Sequence, residues 1–68
     1  MNAKLLRSKM VLHGDTQREL AYVLRISEQR LSAKINETNG AEFTQKEIKE
    51  IKERYELTDE EVSLIFFT

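Results

Sequence analysis

Ser27 to Asn36, SEQRLSAKIN, sets two apolar residues one turn apart, Leu31 and Ile35, among side chains that hydrogen-bond. Read as a helix, Leu31 and Ile35 face a core. Glu28, Gln29, Arg30, Ser32, Ala33, Lys34 and Asn36 then form the outward surface. A carboxylate that accepts, an amide that both donates and accepts, and cations at the flanks are what a helix needs to bond base edges and phosphates in a major groove. Gln29 can bond adenine in bidentate fashion, and Glu28 can accept from a cytosine amino group. Other chemistry is poorly supplied. His13 is the only histidine and cysteine is absent, so neither a metal-ligand set nor a nucleophile pair can be assembled. With two glycines there is no phosphate-cradling loop either. No enzyme activity, cofactor or metal is expected.

A reading surface of this kind needs neighbours that hold it, and the helix starts are written plainly. Thr16 with Glu19, Thr44 with Glu47, and Thr58 with Glu61 have the spacing of capping boxes. Phe43 with Ile48, Leu57 with Val62, and Ile26 with Leu31 have the spacing of hydrophobic staples. At Ser27 the residue three further on is Arg30, which gives up the box and directs a donor outward. Upstream, Leu6 and Met10 give a helical period, and Gly14 suits the left-handed residue that ends a helix. The pattern predicts five helices over residues 3–12, 17–23, 28–36, 45–55 and 59–66, with ETNGAE, residues 37–42, as the one sizeable loop. Leu20, Ala21 and Leu24 share one face of the second helix, with Ile26 buried in the turn after it. Val62, Ile65 and Phe66 close the core. That leaves Leu64 and Phe67 as apolar surface, a candidate self-association contact.

Sixty-eight residues make one domain, 1–68, whose folding buries roughly 60% of the surface the unfolded chain exposes. The core is therefore marginal, and a partner surface is unsurprising. Apolar runs are short and Lys4, Arg7 and Lys9 interrupt the first segment, so no membrane span or signal core is expected and the predicted location is cytoplasmic. The net charge of −1 conceals a split. Residues 1–36 carry seven Lys/Arg against three Asp/Glu, a balance of +4, whereas residues 37–68 carry four against nine, a balance of −5. Only the first half suits phosphate. Among the acids of the second half, Lys46 with Glu50, Lys49 with Glu53, and Glu50 with Arg54 have the spacing of ion pairs along a solvated helix face.

TQRELAYVLRISEQRLSAKIN, Thr16 to Asn36, resembles the helix-turn-helix of the phage Cro and lambda-type repressor family, whose pattern is roughly TQxELAxxLGISxxxLSxxxN. The stretch EFTQKEIKEIKERYELTDEEVSLIFF resembles the last two helices of small Cro-like regulators of Gram-positive phages. The resemblance implies an all-α, compact five-helix lambda-repressor-like domain with helices 2 and 3 as the helix-turn-helix. It further implies a Cro-like repressor that binds double-stranded operator DNA, as a homodimer on a pseudo-palindrome. Carried onto this chain, Gln17 meets phosphate at the start of helix 2, and Arg18 beside it belongs to the DNA-binding set. Glu28 and Gln29 at the start of helix 3 and Ala33 one turn later face base edges, with Ser27 also counted in the DNA-binding set; Arg30 and Lys34 meet phosphate at the flanks, and Asn36 and Thr38 meet phosphate through amides at the helix end. A second reading is an anti-repressor or modulator that binds a phage repressor protein, to which the acidic half and apolar tail are suited. Arg25 departs from the pattern, since glycine is usual there. A left-handed arginine costs roughly 1 kcal/mol, which the burial of Leu24, Ile26 and Leu31 outweighs. Arg25 is thus a tolerated turn residue or a further charge near DNA.

Overall fold

Every α-helix begins behind a side chain that accepts a first-turn amide. In the computed structural model, which describes residues 1–68, the helices are α1 (Ala3–Leu12), α2 (Gln17–Leu24), α3 (Glu28–Asn36), α4 (Gln45–Arg54) and α5 (Asp59–Phe66), with no strand. Asn2, Thr16, Ser27, Thr44 and Thr58 cap them in that order. The boxes at Thr44 and Thr58 are complete. At Thr16 only half forms: its hydroxyl accepts from the Glu19 amide and donates to the Glu19 carboxylate, which does not return to the Thr16 amide. Two bounds move by one residue, α2 running on to Leu24 and α4 stopping at Arg54, and the expected loop folds into a 3-10 turn over Thr38–Gly40.

The helix ends repeat one device. Gly14, Arg25 and Glu56 are left-handed (φ 65°, 62° and 51°), and the next amide reaches five residues back: Asp15 to Met10, Ile26 to Ala21, and Leu57 to Lys52, at 2.8, 3.0 and 2.9 Å. This is the Schellman arrangement, which satisfies carbonyls that have no partner within the helix. Only α1 uses glycine for it. Arg25 thus takes up the left-handed conformation for which glycine is usual at this position.

Leu6, Met10, Leu20, Ala21, Leu24, Leu31, Ile35, Ile51, Tyr55, Leu57 and Ile65 form one core drawn from all five helices and the α4–α5 connection. The fully buried leucines and isoleucines each contribute about 1.5–3 kcal/mol. Ile26, expected to be buried, is half-buried against this cluster, because the turn holding it lies at the surface. Val62 and Phe66 pack on the core alongside Ile65, and Phe66 meets Phe43 edge-on with ring centroids 5.5 Å apart. Leu64 and Phe67 stay exposed. No helix is long and apolar enough to cross a membrane.

The ion pairs join segments instead of running along one helix. The Met1 ammonium pairs with Glu37, Lys9 with Glu61, Lys34 with Glu47, Lys52 with Asp59, and Arg54 with Asp15. The expected pairs within α4 do not form: Arg54 takes Asp15 in place of Glu50, and Lys46 and Lys49 are in no ion pair. Exposed pairs along a helix contribute only a few tenths of a kcal/mol, so for Arg54 a bidentate contact to the buried Asp15 carboxylate outcompetes Glu50, and little holds Lys46 or Lys49 to its neighbour.

Candidate nucleic-acid interface

Two short helices joined by a three-residue turn carry the candidate surface. The Thr16 and Ser27 hydroxyls each take one first-turn amide, from Glu19 and Arg30. The Gln17 and Arg18 amides of α2 and the Glu28 and Gln29 amides of α3 have no acceptor within their helices, and so point donors and the positive end of a helix dipole outward. Gln17, Glu28, Gln29, Ser32, Ala33 and Thr38, joined by Asn39 of the 3-10 turn, line one shallow polar concavity. Five of these seven, Gln17, Glu28, Gln29, Ala33 and Thr38, are residues that the sequence assigns to DNA contact. Arg18, Ser27, Arg30 and Asn36 are exposed around it, while Gln17 and Ala33 are half-buried.

Lys34 does not belong to this surface. The expectation of an outward, phosphate-facing lysine is overturned: Lys34 is 4% exposed, with Nζ 2.6 Å from Glu47 Oε1. Position 34 lies one turn after Leu31 and beside Ile35, so it continues the inward stripe of α3, where α4 begins. An ammonium buried there needs a carboxylate. Glu47 provides it while accepting the Thr44 amide at 2.9 Å. Burial pushes the Glu47 carboxyl up, but the bonds from Lys34 and Thr44 outweigh it and hold the group below the ordinary carboxylate range.

Asp15, immediately before the Thr16 cap, is a second buried acid that sequence reasoning left unassigned. Its oxygens accept from Arg54 Nε and Nη2 at 2.7 and 2.8 Å and from the Tyr55 hydroxyl at 2.5 Å. Arg54 lowers the Asp15 carboxyl below its usual range, whereas burial and Asp15 together raise the Tyr55 hydroxyl. His13 is exposed and stacks on Tyr55 with centroids 5.1 Å apart. The start of α2 is thereby clamped to the end of α4, which fixes how the Gln17 end of the concavity is presented.

Arg7 is the other residue that sequence reasoning missed. From α1 its Nη2 donates to Asn36 Oδ1 at 2.9 Å, and Asn36 Nδ2 donates to Ser32 Oγ at 3.3 Å, so a polar chain runs from α1 to the rim of the concavity. With Lys9 and Lys34 neutralised, the basic residues of the first half that have no carboxylate partner are Lys4, Arg7, Arg18, Arg25 and Arg30, all exposed. On the other side of α2, Arg18, Tyr22, Val23 and Ile26 line a second open groove, where Tyr22 is 85% exposed. No three His, Cys, Asp or Glu side chains converge into a metal-holding group. The chain has no significant match to any protein-family model, curated protein or solved structure.

Proposed function

We propose that this chain is a non-enzymatic, sequence-specific regulator of transcription that binds double-stranded DNA through α2 and α3 as a helix-turn-helix, in the manner of a lambda-repressor-like, Cro-like repressor. The observation that carries the reading is the concavity: Gln17, Glu28, Gln29, Ala33 and Thr38, drawn from three separate segments, share one polar surface beside outward-pointing helix amides. In this reading α3 enters the major groove. Glu28 and Gln29 read base edges, Ala33 meets the groove floor one turn later, and Gln17, Arg18 and Arg30 hold the backbone. Lys34 supports α3 from behind and makes no contact with DNA. The apolar surface at the C-terminal end of α5, Leu64 with Phe67 just beyond the helix, is the proposed contact between two copies on a pseudo-palindromic operator.

Fluorescence anisotropy of the protein on DNA from its own control region and on random DNA, at two salt concentrations, tests the reading. Salt-dependent binding with a preference for the control region is expected, and Gln29→Ala narrows that preference, since a good bidentate base contact discriminates by about 1–3 kcal/mol. If the wild-type protein ignores both DNAs at low salt and instead captures a purified repressor domain, the reading fails. The α3 surface would then serve a protein-binding anti-repressor.

A further inference from the structure

Resting on the DNA-binding reading, we infer that the interface extends beyond α2 and α3 onto α1, where Arg7, held by Asn36, is a binding residue for a backbone phosphate of double-stranded DNA. Three observations lead there. Arg7 is exposed and no carboxylate lies within ion-pairing distance, so its charge is uncommitted. Its guanidinium is nevertheless tethered, since one donor is used on Asn36 at the last residue of α3. Asn36 is in turn held by Ser32, which lines the concavity. A guanidinium presents its N–H donors in a planar fork, so the bond to Asn36 leaves others free to meet a phosphate in the two-pronged geometry that arginine favours.

The tether also answers an entropic objection. A free arginine on a helix surface loses the rotamer freedom of a long side chain when it binds. Asn36 removes part of that cost in advance. The position is apt as well. A duplex that takes α3 into its groove carries its backbone along the groove edges, past the ends of the helix, and the end marked by Asn36 and Thr38 is where Arg7 is fixed. Asn36 is thus a positioning residue, and Arg7 brings to that end of α3 the charge that Lys34, buried against Glu47, does not.

The test is the salt dependence of binding for four proteins: wild type, Arg7→Gln, Arg7→Lys and Asn36→Ala. One phosphate contact contributes about 0.9 to the log–log slope, so losing it reduces the affinity ratio between 50 and 200 mM salt by about 3.5-fold per subunit. Arg7→Gln, which keeps a donor for Asn36 but no charge, loses that factor equally on control-region and random DNA. Arg7→Lys keeps the slope. Asn36→Ala keeps the slope and binds more weakly, because the guanidinium is no longer held. A wild-type slope in Arg7→Gln, with binding and fold intact by circular dichroism, overturns the Arg7 assignment while leaving the DNA-binding reading standing. Absence of salt-dependent binding by the wild-type protein overturns both.

Discussion

Replacing Arg25 by glycine isolates a single backbone term. Arg25 closes α2 at φ 62° and ψ 39°, with its amide bonded to the Tyr22 carbonyl at 3.1 Å and the Ile26 amide to the Ala21 carbonyl at 3.0 Å. Both bonds belong to the main chain and survive the substitution. The side chain is exposed and in no ion pair, so its loss removes no contact that stabilises the fold. Relief of left-handed strain gains about 1–2 kcal/mol, and the freer unfolded chain returns about 0.4–1 kcal/mol of it. Arg25→Gly is therefore neutral to about 1.5 kcal/mol stabilising, which in a domain of this size raises Tm by up to about 10 °C. Glu56→Gly, at φ 51°, behaves alike. Gly14→Ala is the mirror experiment: an added Cβ meets nothing within 4 Å, so no clash enters, and strain less the smaller unfolded-state entropy leaves the variant neutral to destabilised by the same order. Urea unfolding at unchanged m-value reads all three. Clear destabilisation by Arg25→Gly, or a gain from Gly14→Ala, refutes the reasoning.

Three further outcomes follow from the buried charges and the exposed tail. Lys34→Met strands the Glu47 carboxylate and costs about 3 kcal/mol, whereas adding Glu47→Gln recovers part of the loss; a double-mutant cycle should return a coupling of about 1–3 kcal/mol, and purely additive losses would rule the pair out as a unit. The Asp15 carboxyl is depressed in the folded state, so its contribution is full above the unfolded pKa of about 3.9 and is lost as pH falls through the lower folded value. The stability gap between wild type and Asp15→Asn in urea is accordingly wide at pH 7 and shrinks below pH 4; a gap that does not change with pH contradicts the assignment. Phe67→Ser, at a position 60% exposed, shifts a concentration-dependent dimer toward monomer in sedimentation without lowering Tm, and an unchanged association constant places the interface elsewhere.

What could be read from the residue string alone was what is local. Caps and staples act over three to five residues, so Thr44, Thr58 and Ser27 announced their helices, and an apolar stripe of the right period located α2 and α3. The polar surface of α3 was legible for the same reason. Lys34 was misread because burial of a lysine is decided by a partner 13 residues away, although its place between Leu31 and Ile35 on the stripe was a usable signal. Asp15 with Arg54, and Arg7 with Asn36, pair across 39 and 29 residues, and no local spacing encodes either contact. Of the pairs expected within α4, Arg54 with Glu50 gave way to the stronger partner Asp15 brought in by the fold, whereas Lys46 with Glu50 and Lys49 with Glu53, at the right spacing on an exposed face, simply do not close.

The same long-range pairing orders the events of synthesis. A ribosome delivers α1, α2 and α3 first, yet Lys34, Asp15 and Lys9 wait for Glu47, Arg54 and Glu61. The core that α2 and α3 face also lacks Ile51, Tyr55, Leu57 and Ile65 until the last third of the chain has emerged. A nascent chain stalled after Asn36 therefore lacks only Thr38 and Asn39 of the concavity, yet Lys34, Asp15 and Lys9 have no partners and the core behind α2 and α3 is incomplete. On the proposed reading, the nucleic-acid surface is completed only after α4 and α5 have emerged, and a translation product cut short is silent instead of a weak competitor for the same site.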